Sequence, residues 1–187
     1  MRRMNALIDS PTALLLADSS AIKVTVIYED FLSGARARNF AERLADGLGS
    51  RCPLSESMWR CDLLDSPPIA LEAAKAAEVC EYLIVSLRGD RALTSATRGW
   101  IEALLNNGAA THPTCVIALL GSGDGTPLIL DGNRKFFRDV CAANRVEFCS
   151  HAGMPSAGNA GTNFRGKKDG SESDFSVRRC LPAPLDD

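Results

Sequence analysis

Two adjacent carboxylates, Glu29 and Asp30, close a short apolar run and stand just before Ser33-Gly34-Ala35-Arg36. Consecutive acids at the end of a strand offer oxygen ligands to a hard cation such as magnesium. The segment after them offers a hydroxyl, a residue without Cβ and a cation where a helix can start, the chemistry that holds a phosphate. Ser86-Leu87-Arg88-Gly89-Asp90 ends a second apolar run, and Gly121-Ser122-Gly123-Asp124-Gly125 follows a third. The candidate ligand-binding residues are therefore Glu29, Asp30, Ser33, Gly34, Arg36, Ser86, Arg88, Asp90 and Ser122. Glu29 and Asp30 are also the candidate metal ligands, with magnesium as the ion. No side chain is singled out as catalytic, and whether the chain is an enzyme stays open.

Several sharper chemistries fail on spacing. A P-loop needs lysine and then serine or threonine after its second glycine, whereas Gly125 is followed by Thr126-Pro127. Ser122 lies in Gly121-Ser122-Gly123 rather than in a Gly-x-Ser-x-Gly elbow. Of the two histidines, His112 precedes Pro113 ahead of a strand, and His151 stands where the ordered pattern stops. Cys52, Cys61, Cys80, Cys115, Cys141, Cys149 and Cys180 form no Cys-x-x-Cys pair, which argues against zinc. Four of them sit in apolar runs, so reduced core thiols and a cytoplasmic protein are expected.

The elements that must position these residues alternate. Ile22–Tyr28, Tyr82–Leu87 and Thr114–Leu120 are short apolar, β-branched runs, and Val146–Cys149 is a shorter one. Pro53–Cys61 reads as a strand interrupted by Ser55, Glu56, Ser57 and Arg60, a polarity that suits a sheet edge. Between them lie helical patterns. Ala37, Phe40, Ala41, Leu44 and Leu48 form one stripe at helical spacing, and Thr97, Trp100, Ile101, Leu104 and Leu105 form another. Asp65 or Ser66 can start a helix with Pro67 in its first turn, and Asp131 can cap one that carries Phe136, Phe137 and Cys141. Strands alternating with helices predict βαβ units, hence an α/β three-layer sandwich around a five-stranded parallel sheet.

Residues 1–20 read as a loose leader, because Asp9, Pro11 and Asp18 confine the run Ala13–Ala17 to less than a secretory core. Residues 21–150 form the domain. From residue 151 to 187 glycine, proline and serine recur with few aromatics, a composition that predicts a disordered, dispensable tail. A net charge of −2 gives no general attraction to nucleic acid or anionic membrane. With 6% aromatics and no basic-aromatic interleaving, there is no stacking platform for bases either. No run approaches the ~20 apolar residues of a membrane span. A protein partner is the remaining macromolecular expectation.

At Glu29-Asp30 the sequence resembles phosphorelay receiver domains, which carry an acidic pair at the end of the first strand. Receivers share the flavodoxin-like strand order 2-1-3-4-5, which five strands alternating with four helices and a polar second strand at an edge already fit. Ser122 stands where receivers have a hydroxyl residue after the fourth strand. The phosphoacceptor aspartate is absent, since Val85-Ser86-Leu87 occupies the end of the third strand, and Cys149-Ser150-His151 replaces the receiver's lysine. The implied function is a receiver-like regulatory or protein-interaction module without aspartyl-phosphate chemistry. Ser33-Gly34-Ala35-Arg36 is similar to the phosphate loop of flavodoxins and related small reductases. The stretch from Tyr82 through Ser86 and Gly89 to Trp100-Ile101-Glu102 resembles the third strand and following helix of those reductases. That second resemblance implies an oxidoreductase binding flavin mononucleotide (FMN). A third expectation, a hydrolase or transferase on a nucleotide-like substrate, would employ Glu29, Asp30 and Asp90.

Overall fold

The computed structural model describes residues 21–48, 53–106, 113–121 and 127–152. Five parallel strands, β1 (Ile22–Tyr28), β2 (Leu54–Arg60), β3 (Tyr82–Leu87), β4 (Cys115–Leu120) and β5 (Glu147–Ala152), form one sheet in the order β2-β1-β3-β4-β5. The helices are α1 (Phe31–Leu48), α2 (Pro67–Glu78), α3 (Ser95–Asn106) and α4 (Pro127–Asn144), with a 3₁₀ turn at Cys61–Asp65. This is the flavodoxin-like α/β architecture expected from the alternation of the sequence.

Every residue of β3 and β4 is buried, as an interior parallel strand covered on both faces requires. β2 lies at an edge and carries its polar residues there: Ser57 Oγ meets Thr25 Oγ1 at 3.0 Å, and Glu56 pairs with Arg38. The chain crosses the sheet to one side after β1 and to the other afterwards. Right-handed crossovers then put α1 on one face and α2, α3 and α4 on the other. Ala37, Phe40, Ala41 and Leu44 pack on Val24, Val26, Ile84, Ile117 and Leu119. On the opposite face Ala73, Ala77, Ile101, Leu104, Phe137 and Cys141 pack on Ile27, Leu83, Val85, Val116 and Ala118. The Trp100 indole donates to the Ala70 carbonyl at 2.9 Å, tying α3 to α2.

Some boundaries differ from expectation. α4 starts at Pro127, so Asp131 lies inside the helix and pairs with Arg134 rather than capping. Thr94 does cap α3, its Oγ1 accepting from the Thr97 amide at 3.2 Å. Ser66 precedes α2 without a side-chain cap bond. β5 continues through His151 and Ala152, because pairing with Leu119 and Leu120 extends it into the expected tail. The leader and residues 153–187 lie outside the described residues. Cys61, Cys80, Cys115 and Cys141 are free thiols, as expected, but Cys149 is disulfide-bonded. No helix among the described residues is long and apolar enough to cross a membrane.

Candidate functional site at the carboxyl edge of the sheet

β1 and β3 are neighbours, yet the chain leaves β1 toward β2, on the side away from β3. That reversal is where parallel α/β sheets open a crevice at their carboxyl ends. Glu29 follows β1, its amide donating to the Ser86 carbonyl at 3.2 Å. Asp30 then starts α1 in a reciprocal cap. Its Oδ1 accepts from the Ser33 amide at 2.8 Å, and Ser33 Oγ accepts from the Asp30 amide at 2.8 Å and from the Glu29 amide at 3.1 Å. The same hydroxyl donates to the Asp30 carbonyl, so Ser33 is buried and committed to the helix start. Gly34 lies against the Tyr28 ring, where a Cβ would come within 3.0 Å of Cδ2.

Arg36, one turn further along α1, reaches over the ends of β3 and β4. Its Nε and Nη2 donate to Ser86 Oγ at 3.2 and 3.0 Å, and Nη2 also donates to the carbonyls of Leu87 and, at 3.0 Å, Leu119. Burial lowers the guanidinium's pKa, with Asp30 and Glu29 pulling it back up, and arginine stays charged throughout the working pH range. Gly121 makes room for it, since a Cβ there would come 2.5 Å from Arg36 Nη1, and Gly89, at φ +88°, makes room for Gly121, whose carbonyl oxygen a Cβ would strike.

The acids of this edge meet arginines. Glu29 accepts from the Arg88 amide at 2.8 Å and pairs with Arg91 at 3.1 Å. Asp30 pairs with Arg88 at 3.5 Å, and Asp90 pairs with both Arg88 at 3.3 Å and Arg91 at 3.7 Å. Partial burial pushes the Asp30 carboxyl upward. The Ser33 amide and hydroxyl and the Arg88 charge outweigh it and hold the group below its ordinary value. Asp90 Oδ1 is buried and makes no hydrogen bond, its contact with Arg91 being purely ionic. Glu29, Asp30, Asp90 and Ser86 thus gather at one edge as the sequence anticipates. They gather, however, around Arg36, Arg88 and Arg91. Among the described residues no group of three or more acids, histidines and cysteines is placed to share a metal ion. The expected magnesium ligands Glu29 and Asp30 are instead engaged by cations and by a helix cap. Ser122 lies outside the described residues.

Beside this lattice a cleft of about 270 Å³ is lined by Glu29, Cys61, Asp62, Asp65, Arg91 and Thr97. Burial, reinforced by the charges of Glu29 and Asp62 against a Thr97 hydrogen bond, pushes the Cys61 thiol up to about 12. No nucleophilic thiolate forms there at neutral pH. Exposed apolar side chains stand in the first turns of two helices on opposite faces of the sheet: Phe31, 83% exposed, and Leu32 in α1, and Leu128, 81% exposed, in α4.

The sequence reading missed Arg91, which follows the singled-out loop by one residue, and the buried Asn133. Asn133 Oδ1 accepts from the Leu93 amide and its Nδ2 donates to the Arg91 carbonyl, both at 3.1 Å, so α4 fixes the loop that presents Arg88, Asp90 and Arg91. The available signal was a polar residue on the otherwise apolar stripe of Phe137 and Cys141.

Neither a family model nor a curated protein matches the chain. Among solved structures, a flavodoxin from Streptococcus pneumoniae TIGR4 aligns at 13% identity and a TM-score of 0.43, covering 84% of this chain and 91% of its own. The psychrotrophic esterase EstA from Pseudoalteromonas sp. aligns at 14% identity and a TM-score of 0.41, covering 69% of this chain and 77% of its own. The architecture rests on the strand order and register themselves, which are those of a flavodoxin-like sheet.

Proposed function

We propose that the chain is a protein-interaction module of regulatory type, working through the carboxyl edge of its sheet. The observation that carries this reading is the exposure of Phe31, Leu32 and Leu128 in the first turns of α1 and α4, at the carboxyl end of a sheet whose charges are already paired. Large apolar side chains left in water beside a fixed polar lattice suit contact with another protein surface, with the apolar groups as anchors and the charges as a rim. A small anionic ligand is less well served. The Ser33 hydroxyl and the Ser33 and Gly34 amides are spent on Asp30, and Arg36 is spent on Ser86 and two strand carbonyls. For FMN, the arginines at this edge are already engaged, Arg88 by Asp30 and Asp90 and Arg91 by Glu29, so a phosphate would compete with carboxylates for them.

Receiver-type phosphorylation lacks support as well, because Ser86, at the end of β3, is buried and accepts from Arg36. The location stays with the proposal: a cytoplasmic protein suits the free thiols Cys61, Cys80, Cys115 and Cys141, while the bonded Cys149 speaks for an oxidising compartment.

Photo-crosslinking from a benzophenone side chain tests the reading. Placed at Leu32 it should give a discrete adduct with a cellular protein, abolished by Phe31→Ser with Leu128→Ser. Placed at Val79, an exposed apolar position just past the end of α2, it should not. Equal yields from both positions, or adducts indifferent to the double substitution, would remove the docking edge.

A further inference from the structure

β2 is paired on one side only. β1 aligns along its whole length, and among the described residues no strand meets its outer edge. The Ile22 amide donates to the Pro53 carbonyl at 2.9 Å, so the backbone groups of the odd-numbered residues in β2 turn toward β1. By alternation those of Leu54, Glu56, Met58 and Arg60 point outward, a row of donors and acceptors open to another strand. The side chains of these residues lie on the α1 face, where Leu54 and Met58 pack on the core and Glu56 meets Arg38. Glu56 is short of partners. Its side chain is 14% exposed, Oε1 is buried without a hydrogen bond, and Oε2 stands 3.7 Å from Arg38 Nε. Burial pushes the carboxyl up, with Arg38 opposing and the Glu42 charge adding to the rise. Arg60 is half exposed, and its Nε and Nη2 hold Asp62, which leaves Nη1 for another acceptor.

Charges on an edge strand ordinarily discourage pairing. Here they discourage every self-pairing but one. When two β2 strands run antiparallel about a two-fold axis along the sheet normal, their outward-pointing residues face each other in hydrogen-bonded pairs. An axis at Glu56 or Arg60 sets like charges opposite. An axis at Ser55, Ser57 or Trp59 sets Glu56 or Arg60 against an apolar residue. An axis at Met58 sets Glu56 against the partner's Arg60 and Arg60 against the partner's Glu56, on one face and within cross-strand reach. Met58 then meets its own copy. On the other face Trp59, whose buried indole N–H has no acceptor, stands beside the partner's Ser57.

We propose that β2 pairs antiparallel with β2 of a second copy of this chain about a two-fold axis at Met58, with Glu56–Arg60 contacts on either side of the axis. Two five-stranded sheets then join into one. The interface is isologous, so each contact occurs twice and a charge reversal is felt twice. It lies along the outer side of β2 and does not depend on the docking proposed for the carboxyl edge.

Sedimentation equilibrium of the full chain reads the mass, with non-reducing denaturing gels to exclude a covalent dimer. The expected result is a reversible dimer whose fraction rises with concentration. Glu56→Arg and Arg60→Glu should each raise the dimer Kd at least about tenfold, because each sets like charges opposite at two symmetric places. Mixing the two variants should restore the dimer, as should combining both substitutions in one chain, and that recovery shows that the variants fold. Amide exchange at Glu56, Met58 and Arg60 should slow as concentration rises. A monomer at every concentration, or a dimer indifferent to either reversal, would overturn the proposal. So would single variants that stay monomeric when mixed.

Discussion

Arg36 holds the carboxyl edge together, and its removal is the most informative single substitution. Arg36→Met keeps much of the side-chain volume but leaves the carbonyls of Leu87 and Leu119 and the Ser86 hydroxyl without their donors. Buried acceptors stripped of a charged partner cost about 2–4 kcal/mol, measurable as a fall in the urea midpoint. Arg36→Lys should recover only part, because one ammonium lacks the planar fork that serves three acceptors at once. Asp30 sets a second expectation. Its folded pKa lies below the ordinary 3.8, so its contribution is complete above that value and is lost as pH falls through the folded pKa. Acid titration followed by circular dichroism should therefore show the parent losing more stability below pH ~4 than Asp30→Asn does. Equal acid sensitivity would mean that the cap and Arg88 do not favour the charged form. Both carboxylates of the Glu29-Asp30 pair were legible in the sequence as candidates at the end of the first strand. Their partners were not, because Arg88 and Arg91 reach them only after β3 aligns beside β1.

At the scale of elements, the sequence spoke clearly wherever burial is two-sided or periodic. β3 and β4 are uninterrupted apolar runs, and α1 shows its stripe of Ala37, Phe40, Ala41 and Leu44. Ends were harder to read. Pro127 opens α4 although glycines precede it, and β5 reaches Ala152 because its last residues gain partners from β4 that no local pattern announces. Asn133 is the element-level counterpart of Arg36, a polar side chain on the inner face of α4 that anchors the loop after β3. Asn133→Ala removes both bonds and leaves the Leu93 amide and the Arg91 carbonyl wanting. A loss of about 1–3 kcal/mol follows for unsatisfied buried groups. Hydrogen exchange should show the 88–94 loop opening preferentially, with α1 unaffected. Uniform destabilisation would instead mark Asn133 as a packing residue only.

For the whole molecule, alternating strands and helices determined the layer architecture, and the polar β2 placed itself at the edge. The function was less legible because the fold supplies the same crevice to many chemistries, and which one survives depends on long-range pairings. Ser33 looked like a phosphate ligand and became half of a helix cap. Arg36 looked like its helper and became a tie between strands. In the proposed function the phosphate-binding groups of this edge are engaged within the chain, Ser33 by the helix cap and Arg36 by Ser86 and two strand carbonyls. Fluorescence titration of FMN with the purified protein tests the proposal. Flavin emission should stay unquenched up to near-millimolar protein, with no gain in quenching for Arg36→Met. Saturable quenching at micromolar protein, weakened by Ser33→Ala, would contradict it and restore the flavin-binding reading.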